Sequence, residues 1–343
     1  MNIHLPTSSG PALPRRLAAT VATLGFAALA LPAGSLGHQH KIASVSASVK
    51  HGTLEVRGSS HADSLAMRLK AGDPGTVQVD IANDGSADFS FPRSHLSAIN
   101  VNLGAGNDTA RIDDSNGAFT VSIPTTIAGG PGNDTLTGGA GAETLKGGAG
   151  SDTVIGGKGN DIAYLGGGND TFVWNPGDGS DTIEGQDGTD TMVFNGANAS
   201  ENVTLSADRG HLKFVRDVGN VTMDTHGVER VDFNALDGSD HVTVNDLAGT
   251  DVTKVNLDLA KTLGGGTGDG AIDNVAVNGT NGNDTINVAG NGSGADVTGL
   301  ATAVSIVHAD RNDTLAVNSL AGKDSVSATG VFGMQVSING TLI

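Results

Sequence analysis

Along much of the chain, apolar residues stand at every second position. Between Ser44 and Ala128 the stretches SVSASVKHGTLEVRG and GTVQVDIANDG place Val, Leu and Ile on alternate residues, with Gly, Asp and Asn between runs. The alternation returns after Phe194, in HVTVNDL, KVNLDL, NVAVNGTNGNDTINVAG and MQVSING. Successive side chains leave a strand on opposite faces, so a period of two predicts half-buried strands, and the polar breaks predict turns. The middle of the chain departs from this pattern. From Gly129 to Tyr164 it reads GGPGNDTLT GGAGAETLK GGAGSDTVI GGKGNDIAY, one phrase given four times.

The phrase recurs at residues 129, 138, 147, 156 and 165, resumes at 176 and 185 after a step of 11 residues, and has an outlying copy at Leu103. Its sixth position holds Asp108, Asp134, Glu143, Asp152, Asp161, Asp170, Asp181 and Asp190. Its eighth is apolar in every copy: Ala110, Leu136, Leu145, Val154, Ala163, Phe172, Ile183 and Met192. Glycine permits the sharp turns and leaves carbonyl oxygens uncovered. The triplet after the acid is a minimal strand with one inward side chain. Nine residues then make half a coil, so copies 18 residues apart stack: Asp134, Asp152 and Asp170 on one side, Glu143 and Asp161 on the other.

Stacked carboxylates repel one another unless a cation lies between them. Residues 129–193 contain ten acids, two bases and 19 glycines. The hard oxygens of carboxylates and carbonyls on a flexible frame suit Ca²⁺ better than Mg²⁺, which demands a tight octahedron and retains its waters. Over the whole chain, 37 acids face 19 bases, a net charge of −18. Such a chain repels nucleic acid and attracts cations. With no cysteine, disulfides and thiolate metal sites are excluded. Fifty-two glycines argue against long helices, since each interior one costs about 1 kcal/mol relative to alanine. Eleven aromatic residues among 343 leave a thin core of Val, Ile, Leu and Ala.

The phrases GGPGNDTLT, GGAGSDTVI and GGKGNDIAY resemble the haemolysin-type (RTX) calcium-binding nonapeptide of secreted bacterial proteins. The resemblance implies a parallel β-roll with calcium between stacked turns, held by aspartate carboxylates and loop carbonyls. Carried over residue by residue, it makes Asp134, Asp152, Asp161 and Asp170 ligands, then Asp181 and Asp190, then the outlying Asp108. Glu143 departs from the pattern, with a longer side chain and Ala142 before it, and a weaker or distorted site is expected there. Decayed copies at Gly279–Val288, at His308–Ala316 and around Asp240 and Asp324 are irregularly spaced, so plain turns are expected.

The N-terminus predicts a secretory signal peptide. Arg15 and Arg16 precede an uncharged run, Leu17–Leu31, followed by Pro32 and the small residues Ala33–Ser35. The run is short of the roughly 20 residues of a membrane span, and the rest of the chain offers none, so membrane insertion is not expected. The expected organisation is a signal peptide at 1–35, a β-rich segment at 36–128, a calcium-binding β-roll at 129–193 and a β-rich segment at 194–343. The fold class expected is all-β, a β-roll or β-solenoid flanked by solenoid- or sandwich-like material.

Catalytic motifs are missing. Neither HExxH nor GxSxG occurs, the ten histidines are scattered, and Gly264–Gly270 lacks the lysine of a phosphate loop. One Trp and one Tyr make a poor sugar platform, and Trp174 beside Pro176 is expected to plug an end of the roll. The sequence reads as a secreted, extracellular or cell-surface calcium-binding protein with Ca²⁺ as its only cofactor, structural or adhesin-like and not an enzyme. A carbohydrate-active or other secreted enzyme on a calcium-stabilised scaffold is the alternative. No macromolecular partner can be named.

Overall fold

The structure is a computed structural model describing residues 45–343; the expected signal peptide lies outside the described residues. Two long sheets, of 15 and 14 strands, run the length of the described residues. Through the glycine-rich segment the chain alternates between them: Thr125–Pro131, Glu143–Ala149, Ile162–Gly168 and Thr182–Gly188 in the first, Thr135–Thr137, Thr153–Ile155, Thr171–Trp174 and Thr191–Asn195 in the second. Neighbouring strands are parallel and in register, so the architecture is a β-roll that continues as a β-solenoid on both sides.

The coil length is the one that two nonapeptides predict. Leu145 lies opposite Ala163 in one sheet, and Leu136, Val154 and Phe172 align in the other. The step then widens: Ile183 aligns with Ala163, and Met192 with Phe172, because the coil holds the extra residues after Trp174. Eighth-position side chains from Leu136 to Met192 are wholly buried. They form one strip continuous with the core of both flanks. Coils approach so closely that a methyl group on Gly148 (φ 126°) would lie 2.0 Å from the carbonyl oxygen of Gly130. Only glycine fits there.

The flanks resolve as solenoid and not as a separate sandwich, since their strands add to the same two sheets. Hairpins are accommodated sideways. The run Asn202–Asp208, His211–Arg216 and Val221–His226 is antiparallel within the first sheet. Ala295–Thr298 forms an antiparallel insert in the second. Trp174 does not close an end, because coils continue beyond it. It is fully buried, stacks on Phe194 with centroids 4.0 Å apart, and donates its Nε1–H to the Gly179 carbonyl at 2.7 Å. It is therefore no sugar platform. Among the described residues no helix is long and apolar enough to cross a membrane.

Candidate metal centre

Each sixth-position acid sits where a turn enters a strand. Asp108, Asp134, Asp152, Asp170 and Asp190 directly precede strands of the 14-stranded sheet. Glu143 begins a strand of the 15-stranded sheet, and Asp161 and Asp181 lie just before the next two. Stacking the coils draws these acids into two rows. Along the first, the backbone N–H of Asp108 donates to Oδ1 of Asp134 at 2.8 Å, Asp134 to Asp152 at 2.7 Å, Asp152 to Asp170 at 2.7 Å, and Asp170 to Asp190 at 2.8 Å. Along the second, Glu143 donates to Asp161 at 2.7 Å and Asp161 to Asp181 at 2.9 Å. Glu143 joins the row through its main-chain N–H, while its side chain turns back on its own repeat and accepts from the Gly139 N–H at 2.7 Å.

One oxygen of each carboxylate is taken, by the ladder for six of them, by the Asp63 N–H for Asp108 and by the Gly139 N–H for Glu143. The other is buried without a hydrogen-bond partner: Oδ2 of the seven aspartates and Oε1 of Glu143. Native interiors rarely leave such atoms unpaired, and an ion is one of the few explanations. The surroundings point the same way. A methyl group on Gly129 would lie 2.1 Å from Asp134 Oδ2 and 2.7 Å from the Gly147 carbonyl oxygen. On Gly147 it would lie 2.4 Å from Asp152 Oδ2 and 2.3 Å from the Leu165 carbonyl oxygen. The repeat's first glycine thus keeps open a cradle between an orphaned carboxylate oxygen and a carbonyl of the next coil. No group of three acid, histidine or cysteine side chains converges among the described residues. The donor set is one carboxylate with main-chain oxygens, all hard, which fits Ca²⁺ and not a nitrogen- or sulfur-seeking metal.

Burial pushes all eight carboxyls upward from their ordinary values. Asp152 reaches about 6; Asp181 and Asp190 reach about 7. Asp161 reaches about 9, through burial first and then the charges of Asp181, Glu143 and Asp178. Without a counter-charge, the folded roll resists ionising the groups it has assembled.

The rows extend beyond the repeat. Asp63 donates to Asp108 at 2.7 Å, and Asp190 to Glu229 Oε2 at 2.7 Å. Glu201, Asp240, Asp273 and Asp313 form a further ladder, and Asp284 donates to Asp324 at 3.0 Å. The turns around Asp240, Asp284, Asp313 and Asp324, irregular in sequence, therefore fall at equivalent points in space. Asp63, Glu201, Glu229 and Asp273 escape the glycine pattern but keep its remnant: an acid followed two residues later by an apolar side chain, Leu65, Val203, Val231 and Val275. That remnant is the signal that finds them.

A family model, the RTX calcium-binding nonapeptide repeat in four copies, matches residues 125–154, 137–172 and 177–198. The chain therefore carries RTX repeats and is a calcium-binding β-roll protein. No curated protein and no solved structure matches it.

Proposed function

We propose that calcium is held along the two rows by Asp108, Asp134, Asp152, Asp161, Asp170, Asp181, Asp190 and Glu143, with turn carbonyls completing each site. We propose further that the protein is exported by its N-terminal signal peptide and acts outside the cell as a structural or adhesin-like component, by binding and not by catalysis. The observation that carries the ligand reading is the row of buried carboxylate oxygens without donors, with a glycine cradle beside those of Asp134, Glu143, Asp152, Asp161 and Asp190. Bound calcium supplies the positive charge these oxygens lack. The chain positions the carboxylates through the main-chain ladder, excludes water and keeps the cradles open.

The reading makes the repeat a segment that folds on binding, because one or two buried apolar side chains per nine residues offset little chain entropy. Circular dichroism of the chain lacking residues 1–35 tests it: β-signal should rise on adding Ca²⁺, not with equal Mg²⁺, and less so in the Asp152→Ala variant. Equal spectra in chelator and in calcium would overturn it. Mass spectrometry of extracellular protein should find a start near residue 36, and an intact Met1–Leu31 would refute the export route.

A further inference from the structure

The second acidic row has an unusual beginning. On the coil before Glu143, the equivalent position is Thr125, which lies opposite it in the sheet and binds its own turn, Oγ1 donating to the Ile123 carbonyl at 2.9 Å. No acid of the repeat stands there. A different segment covers the spot, the connection that leaves the strand Thr109–Asp113 through the 3-10 turns Asp114–Asn116 and Thr120–Ser122.

This connection brings oxygen donors to the glycine turn of the Glu143 repeat. The Gly141 N–H donates to Thr120 Oγ1 at 3.1 Å, and the Gly139 N–H to Glu143 Oε2 at 2.7 Å. Two carboxylate oxygens are left buried without a partner, Glu143 Oε1 and Asp114 Oδ1. Glu143 is 2% exposed and Thr120 is 3%. A methyl group on Gly139 would lie 2.6 Å from Ile112 Cγ2, 2.9 Å from Thr120 Oγ1 and 3.2 Å from Asp114 Oδ2. On Gly141 it would lie 2.4 Å from the Thr120 carbonyl oxygen and 2.8 Å from Glu143 Oε1. Both glycines thus hold open a space edged by carboxylate, hydroxyl and carbonyl oxygens, with the Ile112 methyl as its apolar wall. Lys158 lies on the same side, yet among the described residues neither carboxylate is in an ion pair with it or with any other base.

We propose that Asp114, Glu143 and the Thr120 oxygens form a divalent-cation site for Ca²⁺, closing the second row from outside the repeats. The proposal rests on the calcium reading above. It differs from the repeat sites in kind: it draws on two carboxylates, one of them from a segment with no repeat pattern. Its consequence is that calcium would pin the N-terminal flank to the roll, making one coil's end depend on the next coil's metal. The longer arm of glutamate suits such a site.

Equilibrium dialysis of calcium against the chain lacking residues 1–35 tests the proposal, with hydrogen exchange of the peptide spanning Gly138–Glu143 as a second readout. Asp114→Asn, nearly isosteric, should bind one calcium fewer and lose the calcium-induced slowing of exchange at Gly139 and Gly141. Asp113→Asn is the control for the turn itself, since Asp113 accepts from the Ser115 N–H at 3.1 Å and pairs with Arg111, away from the space. It should keep the full complement. If Asp114→Asn binds as much calcium as the parent, or if Asp113→Asn loses as much as Asp114→Asn, the site does not exist. Asp152→Asn separates the two readings: if it too loses no calcium, the rows themselves are not metal sites and both fall. Loss in Asp152→Asn with none in Asp114→Asn sinks only this proposal.

Discussion

The glycine-rich roll and the solenoid after it share two sheets and one ladder of acids, yet they are held together differently. In the first coils of the roll Thr135–Thr137 and Thr153–Ile155 each bury a single apolar side chain, Leu136 or Val154, although Thr171–Trp174 and Thr191–Asn195 at its far end bury two. After residue 230 the strands are mostly five residues long and bury two, as with Val231 and Phe233, Val255 and Leu257, or Leu315 and Val317. Fully burying an aliphatic side chain contributes about 1.5–3 kcal/mol, so the difference per strand is large beside any single hydrogen bond.

The acids differ as well. In the roll each leaves one oxygen without a donor. Beyond it the chain supplies partners to several: both Asp284 oxygens take donors from Thr280, at 2.8 and 2.9 Å, and Asp313 Oδ2 takes the Asp310 N–H at 2.6 Å. Most tellingly, Arg216, 3% exposed, places its guanidinium on Glu201 Oε1 and lies 5.2 Å from the centroid of the Trp174 ring. The arginine answers one oxygen, while a methyl group on Gly196 would lie 2.7 Å from the other, Oε2. Glu201 Oε2 and Asp240 Oδ2 are nonetheless left without partners, and burial and acidic neighbours push the Asp240 carboxyl to about 7. On the proposed reading the roll's acids are neutralised by a borrowed cation, and Glu201 in part by one carried in the chain.

The largest effect that can break this comparison is removal of calcium. In chelator, amides of residues 129–193 should lose most of their protection from hydrogen exchange, while those of strands from Arg230–Asn234 to Thr314–Asn318 keep theirs. Uniform loss along the chain would mean that the solenoid has no stability of its own.

Next in size is Arg216→Ala, which should cost about 3–5 kcal/mol by leaving Glu201 buried and uncompensated. Denaturant melts in chelator should register the loss, and adding calcium should not repair it. The double variant Arg216→Met, Glu201→Gln should recover much of the stability. If calcium rescues Arg216→Ala, the arginine is only a lid over another metal site.

A smaller effect is the pH dependence of the two states. The free carboxyl of an unfolded aspartate titrates near 3.9. In the folded roll without calcium Asp152 titrates at about 6, Asp181 and Asp190 at about 7, and Asp161 at about 9. The folded state therefore holds protons more tightly than the unfolded, so its stability is greatest near pH 4 and declines as pH rises through these values. Calcium competes with those protons, so binding should weaken as pH falls below about 7. Thermal melts should slope downward with pH from 4 to 9 in chelator, and upward between pH 5 and 7 in calcium. The same slope in both would mean that the acids do not bind the ion.

Much of this was legible in the chain. The 18-residue stacking, the inward eighth position and the two-sided placement of acids follow from counting, because a coil of fixed length must repeat its contacts. Asp108, outside the main run, occupies the same row. What did not show was the continuity of the ladder. Hairpins such as Asn202–Arg216 insert residues sideways, so Asp190 meets Glu229 and Glu201 meets Asp240 at a separation of 39, where no period is visible. Nor could counting find Asp114 or Arg216, which reach their acids through tertiary folding. Trp174 misled for a related reason: an insertion in a repeat looks like an end, whereas here the coil bulges and the ring joins a stack with Phe194.

The finest division lies within the roll, between glycines that keep a cradle open and those that do not. Gly147 faces Asp152 Oδ2, as described. Gly167, in the next coil of the same sheet, has nothing within 4 Å of where its Cβ would be, and its φ is not left-handed. A methyl group on Gly147 must displace either the carboxylate or the carbonyl of Leu165, a backbone atom held by its coil. Gly147→Ala should therefore weaken one calcium about tenfold or more, roughly 1.4 kcal/mol. Gly167→Ala adds a methyl group in open space and removes freedom only from the unfolded chain, so it should stabilise by about 0.4–1 kcal/mol and leave binding unchanged. Calorimetric calcium titrations of the two variants, with melts in saturating calcium, measure both effects. If Gly147→Ala binds calcium like the parent, the space beside Asp152 Oδ2 is not where the ion sits. If Gly167→Ala weakens binding equally, the glycines serve only to let coils turn and approach, and the contrast between cradle and open positions has no bearing on calcium.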